Sequence, residues 1–314
     1  GKLTGGKVTG KGGGGAIALD DQQCIFNMYG GEISGNNGKN YGGAIFRKFN
    51  ANMPNTTGGT FNMYGGTIKD NTAKNGGAFF STTGGTINMT GGTISGNTSG
   101  NSKGGGVCAG NKLTVSGTPC ITGNLGKDGA ANNVYLGRRE IIHVGGALES
   151  GAIIGVTTEN PVIDGSYVRV ADGTELAADT ASYFASDVYP DCTKRMMGDS
   201  VIFSSGTLHE HAVCGRSDCT DAAHGNTAWI PLTSVDGKLL YGGAEATKND
   251  DFYILNDGNY YLASDIELDG KLLSVGYVNL CLNGKQITTT NTSVSEVVKG
   301  FYDMTLCDCR GSGR

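Results

Sequence analysis

The sequence predicts an all-β solenoid of stacked coils, each about 26 residues long, carrying a small Cys/His insert. Three observations carry this expectation. FNMYGGTIKDN at Phe61–Asn71 recurs almost letter for letter at Phe26–Asn36 (FNMYGGEISGN) and Ile87–Asn97 (INMTGGTISGN), with a worn copy at Leu113–Asn124 (LTVSGTPCITGN). The later copies start at a steady interval, and a fixed period decides architecture before local propensity does. Within each copy apolar and polar residues alternate with the period-2 signature of strands around a glycine corner. Finally, 55 of 314 residues are glycine and only 5 are proline, with β-branched and aromatic residues plentiful, which excludes disorder.

Each copy supplies two short strands. In the first, Phe61 and Met63 face one way and Asn62 and Tyr64 the other. A third strand lies between copies: YGGAIF at Tyr41–Phe46, NGGAFF at Asn75–Phe80 and GGGVCA at Gly104–Ala109. Three strands of this length cannot bury a face alone, but triangular coils stacked on one another form continuous apolar columns. Glycine suits the corners because it adopts positive φ without a Cβ clash. The longer first interval, from Phe26 to Phe61, is the same coil with a loop inserted around Lys48–Thr57. Asn36, Asn71, Asn97 and Asn124 recur at one register and read as a stacked amide ladder, each amide satisfying its neighbour. The plainer alternative is that asparagine is a good turn residue.

The pattern GGT(F/I)NM-x-GGTISGN followed by GG(A/V) resembles the right-handed parallel β-helix repeats of large surface proteins from Gram-positive, often gut-dwelling, bacteria. The resemblance covers roughly residues 1–160 and 253–314. It implies a right-handed parallel β-helix and an extracellular, cell-surface location. It says little about activity, because this architecture carries adhesins, lyases and plain stalks alike.

Along the chain, residues 1–160 read as the β-helix, with LTGGKVTG at Leu3–Gly10 as the second half of a coil. Residues 156–208 lose the Gly-Gly signature, and 161–208 read as an irregular end, with a short helix over Glu175–Ser186 and a strand at Val201–Phe203. Residues 209–249 read as a Cys/His knot and linker. Three of the four histidines and two of the nine cysteines fall in His209–His224, spaced His-x2-Cys-x4-Cys-x4-His from His211. Thiolate and imidazole in a tetrahedral set suit structural Zn²⁺, with His211, Cys214, Cys219 and His224 as ligands and His209 as substitute. The same spacing is similar to a short module found between β-helix blocks of those surface proteins. A Cys214–Cys219 disulfide and a chance cluster are the alternatives. Trp229 follows as a hydrophobic anchor for the knot. Residues 250–314 read as the start of a second β-helix block, in which Cys281 and Cys307 share an internal column.

The chain opens in mid-repeat and stops in mid-coil at LCDCRGSGR, so its end and its beginning read as one continuous coil. It therefore reads as a mature fragment or excised unit, either one period of a tandem array or a protomer that stacks head to tail on copies of itself, with the second block completed by the next copy's first. Net charge is −5 without a basic patch, which argues against nucleic acid, and no apolar run of about 18 residues exists to enter a membrane. No catalytic residues are assigned. Asp20–Asp21, Arg138–Arg139–Glu140 and Asp265–Glu267 read as solvated edges, His143 as a rung residue, and GKGGGG lacks the Lys-Ser/Thr ending of a phosphate loop. The function expected is structural: a repeat unit of a stalk, fibre or adhesin. The second expectation is a module that binds host or microbial glycans through Tyr29 and Tyr64, which share one outward register; a tyrosine ladder that only stiffens the face is its plain counterpart. A polysaccharide lyase or hydrolase is the third.

Overall fold

The computed structural model describes residues 1–9, 14–19, 24–47, 59–81, 86–110, 113–138, 140–162, 165–174, 176–208, 210–211, 227–242, 244–290, 296–300 and 302–309. The expected loop at Lys48–Thr57 and the Asp20–Asp21 pair lie outside these residues. The protein is all-β and divides into two compact units, Gly1–Glu159 with Arg169–Phe203, and Asn160–Val168 with Ser204–Arg314.

In the first unit every repeat adds one strand to each of three parallel ladders. One ladder stacks Ile25–Met28, Thr60–Met63, Thr86–Met89, Leu113–Gly117, Ile142–Leu148 and Ser166–Gly173. A second stacks Lys2–Thr4, Glu32–Ser34, Thr67–Lys69, Thr93–Ser95, Cys120–Ile121 and the start of Ile153–Thr158. The third stacks Ile17–Leu19, Ile45–Arg47, Phe79–Ser81, Val107–Cys108, Val134–Leu136 and the end of Ile153–Thr158. This parallel stacking of repeat on repeat is what a β-solenoid requires.

Alternation within each strand sends one side chain in two to the interior, so like residues form columns. Phe61, Ile87, Leu113 and Ile142 make one; Ile33, Ile68, Ile94, Ile121 and Ile154 make another; Ile45, Phe79, Val107, Val134 and Val156 make the third, and all are buried. Each such side chain contributes about 1.5–3 kcal/mol of burial. The corner glycines Gly31, Gly66 and Gly92 hold φ of 87°, 89° and 86°, which only glycine adopts cheaply. Gly77 serves a different need. A Cβ there would lie 2.2 Å from the carbonyl oxygen of Gly105 on the next coil.

The region expected to be irregular and partly helical continues the sheets instead. Ser166–Gly173 extends the first ladder, and Phe184–Ser186 pairs with Ile154–Val156, its Phe184 buried. Among the described residues only a four-residue 3-10 turn, Thr180–Tyr183, forms where a helix was expected over Glu175–Ser186. A helix of that length is marginal in water, and docking Phe184 on the isoleucine column outweighs it.

The second unit begins earlier than the sequence suggests. Ile230–Val235 forms a hairpin with Lys238–Tyr241 and pairs in parallel with Gly258–Leu262, so much of the expected linker is built into a sheet. The turn residues Asp236 and Gly237 have φ of 50° and 73°, as a tight primed hairpin turn demands. Gly258–Leu262, Val278–Cys281 and Met304–Cys307 then stack in parallel, beside Phe252–Leu255, Leu272–Val275 and Val298–Gly300. Gly258 registers with Val278 and Val278 with Met304, so the first of these coils is shorter than the second and shorter than the period of the first unit. Trp229 is fully buried with Tyr261, Cys281 and Cys307 in this unit. No helix among the described residues is long and apolar enough to cross a membrane.

Candidate functional site

The best-defined polar feature is a buried chain of side-chain amides. It forms because the strands Glu32–Ser34, Thr67–Lys69 and Thr93–Ser95 all end two residues before an asparagine that turns inward. Asn36 Nδ2 donates to Asn71 Oδ1 at 2.9 Å, Asn71 Nδ2 to Asn97 Oδ1 at 2.9 Å, and Asn97 Nδ2 to Asn124 Oδ1 at 2.8 Å. Each Oδ1 also accepts the backbone N–H of the preceding asparagine, at 3.0–3.1 Å. Each Nδ2 further donates to main-chain carbonyls, for Asn97 those of Ser95 and Ile68, both at 3.0 Å. All four are buried and their polar groups are matched.

Two residues that the repeat does not reveal extend this chain. Asn124 Nδ2 donates to Asn133 Oδ1 at 2.9 Å, and Asn133 Nδ2 donates to Asp187 Oδ1 at 2.6 Å. Asp187 Oδ2 accepts the Asn133 backbone N–H and the Thr157 hydroxyl, both at 2.7 Å. Every amide therefore donates in the same direction along the stack, and the series ends on a carboxylate, which only accepts. At the other end the N–H of Gly6 donates to Asn36 Oδ1 at 2.9 Å. Gly155 leaves room for the chain to pass, since a Cβ there would lie 2.3 Å from Asn133 Nδ2.

The outward side of the first ladder carries the exposed candidates. Tyr29 and Tyr64 stack with ring centroids 4.7 Å apart and planes 7° from parallel, at 74% and 46% exposure. Two residues before them on the same face, Asn62 Nδ2 donates to Asn27 Oδ1 and Asn88 Nδ2 to Asn62 Oδ1, both at 2.8 Å. The same column continues in register through Thr114, His143 and Asp172. His143 Nδ1 lies 3.0 Å from Asp172 Oδ1, so His143 has a carboxylate partner that its isolation in sequence did not suggest. Both side chains are solvated on an open face rather than enclosed.

On the neighbouring ladder Glu32 bridges Lys2 at 2.8 Å and Lys69 at 3.2 Å, linking three successive coils. The hydrogen bond from Lys2, then those from Ser34 and Lys69, hold its carboxyl down to about 2. Burial first, and the Glu140 carboxylate second, push the Cys108 thiol up to about 12, which keeps it protonated and inert. Cys307 registers with Cys281 on the adjacent coil, and its thiol is raised by the hydrogen bond with Cys281 and by burial.

Of the Cys/His set, Cys214, Cys219, His224 and the substitute His209 lie outside the described residues. The backbone of Glu210–His211 pairs antiparallel with Thr227–Ala228, which brings together the two ends of the segment that holds the cysteines. Among the described residues no group of three or more His, Cys, Asp and Glu side chains is placed to hold a metal. Compared with known proteins, the chain matches no protein-family model, no curated protein and no solved structure.

Proposed function

We propose that this chain is a structural repeat unit of an extracellular, cell-surface stalk, fibre or adhesin: a right-handed parallel β-helix whose units stack head to tail. The observation that carries this reading is the coil-on-coil register, in which strands, apolar columns and side-chain amides all align along one direction. Such stacking resists bending because each inner coil is bonded to both neighbours. Open rungs support the stacking of units. Among the described residues Lys2–Thr4, Ile17–Leu19 and Ile25–Met28 are paired on one side only, as are Val298–Gly300 and Met304–Cys307. Leu3, Ile25 and Leu306 on these rungs are exposed apolar side chains. Unpaired strand edges recruit further strands, and heterologous contacts that do not close give filaments. In this reading the chain is not an enzyme. Light scattering across a concentration series tests it: end-to-end growth is expected, suppressed by Ile25→Lys and Leu306→Lys, whereas a single species at every concentration contradicts it.

A second reading, a glycan-binding adhesin module, is favoured by the exposed Tyr29–Tyr64 pair beside the Asn27–Asn62–Asn88 amides. These supply an aromatic surface and paired donors and acceptors for hydroxyls. The Cys/His segment joins the proposal as a structural zinc knot of His211, Cys214, Cys219 and His224. Four protein ligands close a zinc shell and would order a segment poor in apolar residues. About one zinc per chain by elemental analysis, lost in Cys214→Ser/Cys219→Ser, is the expected result; zinc-free protein with a Cys214–Cys219 disulfide refutes it.

A further inference from the structure

The second unit carries an exposed aromatic pair of its own. Tyr277 and Tyr302 stack with centroids 4.9 Å apart and planes 18° from parallel, at 55% and 64% exposure. Two large side chains held against each other in solvent on adjacent coils make a flat ledge with its apolar surface displayed. Its immediate surroundings are polar in a particular way. Asn279, in the strand Val278–Cys281 that begins just after Tyr277, donates from Nδ2 to Asn259 Oδ1 at 2.8 Å. Asp257, which precedes the neighbouring strand, accepts the backbone N–H of Tyr277 through Oδ1 at 3.0 Å and is exposed. A carboxylate has acceptor sites beyond that one bond. Gly276 makes this placement possible, because a Cβ there would lie 2.6 Å from Asp257 Oδ1.

We propose that Tyr277, Tyr302, Asp257 and the Asn259–Asn279 pair form a contact site for a neutral, pyranose-based glycan. The C–H face of a pyranose is apolar and flat enough to lie on an aromatic ledge, while its hydroxyls require donors and acceptors at the rim. The amide pair offers both, and the carboxylate accepts. The exposed carboxylates of Asp257 and Asp303 disfavour a uronic acid or sulfated sugar by like-charge repulsion. Aromatic and polar groups coincide in this way on both units: the first unit sets Tyr29 and Tyr64 beside Asn27, Asn62 and Asn88. The proposal extends the sugar-contact reading of Tyr29 and Tyr64 to a second, separately built site, and it does not depend on stacking of copies.

The test is calorimetric titration of the full chain with hexasaccharides of β-1,4-glucan, chitin, xylan and mannan, with oligogalacturonate as the acidic comparison. At least one neutral hexasaccharide should bind. Tyr277→Ala/Tyr302→Ala should weaken it at least about tenfold, the effect expected of removing a central aromatic contact. Tyr29→Ala/Tyr64→Ala should leave a component that the Tyr277/Tyr302 variant lacks, so the two sites fail or stand separately. Circular dichroism monitors folding. Should the double alanine variant not fold, Asp257→Asn and Gly276→Ala, which remove or displace the carboxylate and leave both rings, should weaken binding instead. Absence of neutral-sugar binding, undiminished binding by these variants, or preference for the acidic oligomer overturns the proposal.

Discussion

Replacing Asn97 with alanine removes the middle member of the buried amide chain. Asn97 accepts two bonds from Asn71, from the backbone N–H at 3.0 Å and from Nδ2 at 2.9 Å, and donates to Asn124, Ile68 and Ser95. Asn71 Nδ2 keeps its bonds to Ile33 and Lys69, so the group left stranded is the Asn71 N–H, with the Ile68 and Ser95 carbonyls weakened. Asn124 Oδ1 is not orphaned, since the backbone N–H at position 97 still reaches it at 3.1 Å. One to two unmatched buried groups at about 1–3 kcal/mol each give about 2–4 kcal/mol, toward the lower end if water enters. The outward Asn88 is the control. It makes the same amide-to-amide bond at a part-buried position on the outward side, where water can replace it, and Asn88→Ala should cost about 0.5–1 kcal/mol. Hydrogen exchange suits a protein of two units better than a single melting curve, because it reads each coil locally. Faster exchange at residue 71 and its neighbours is expected for Asn97→Ala only. Equal effects of the two substitutions, or none at residue 71, would refute the reasoning.

Asp187→Asn should destabilise the end of the stack more than its near-isosteric change suggests, by about 1–3 kcal/mol, because Oδ1 faces one donor and Oδ2 two, and an NH₂ at either position sets donor against donor; hydrogen exchange at Asn133 checks this, and an unchanged rate contradicts it. Gly77→Ala should cost about 3 kcal/mol or prevent folding, since its Cβ meets the backbone of the next coil; wild-type thermal stability would show that the coils can separate freely there. The Glu32 carboxyl is depressed below its ordinary 4.5, so its ion column contributes at pH above that value and is lost as pH falls toward about 2. An NMR titration should find that low midpoint, rising in Lys2→Ala and in high salt; a midpoint near 4.5 in the wild type contradicts the bridge.

The sequence exposes the parts of this protein that repeat in it. Asn36, Asn71, Asn97 and Asn124 recur with the period, and so do the inward Phe, Met and Ile of each strand. Asn133 and Asp187 do not recur. They enter the same amide chain from 9 and 54 residues away, where only the folded path brings them in. The stretch after Ile153 loses its Gly-Gly corners yet keeps pairing, because main-chain bonding to the previous coil, not glycine, decides whether a strand joins the ladder. Thr114, His143 and Asp172 share a column at intervals unlike those of the clear repeats, which hid the contact between His143 and Asp172. Tyr277 and Tyr302 are stacked on adjacent coils, but neither is preceded by the motif that marks Tyr29 and Tyr64.

High-resolution electron cryomicroscopy of the purified chain tests the account most directly. It should show parallel rungs about 4.8 Å apart winding with a right-handed turn, and particles joined tip to tip through strand edges. A left-handed or closed arrangement, or particles that remain single with both outermost rungs covered, would contradict it.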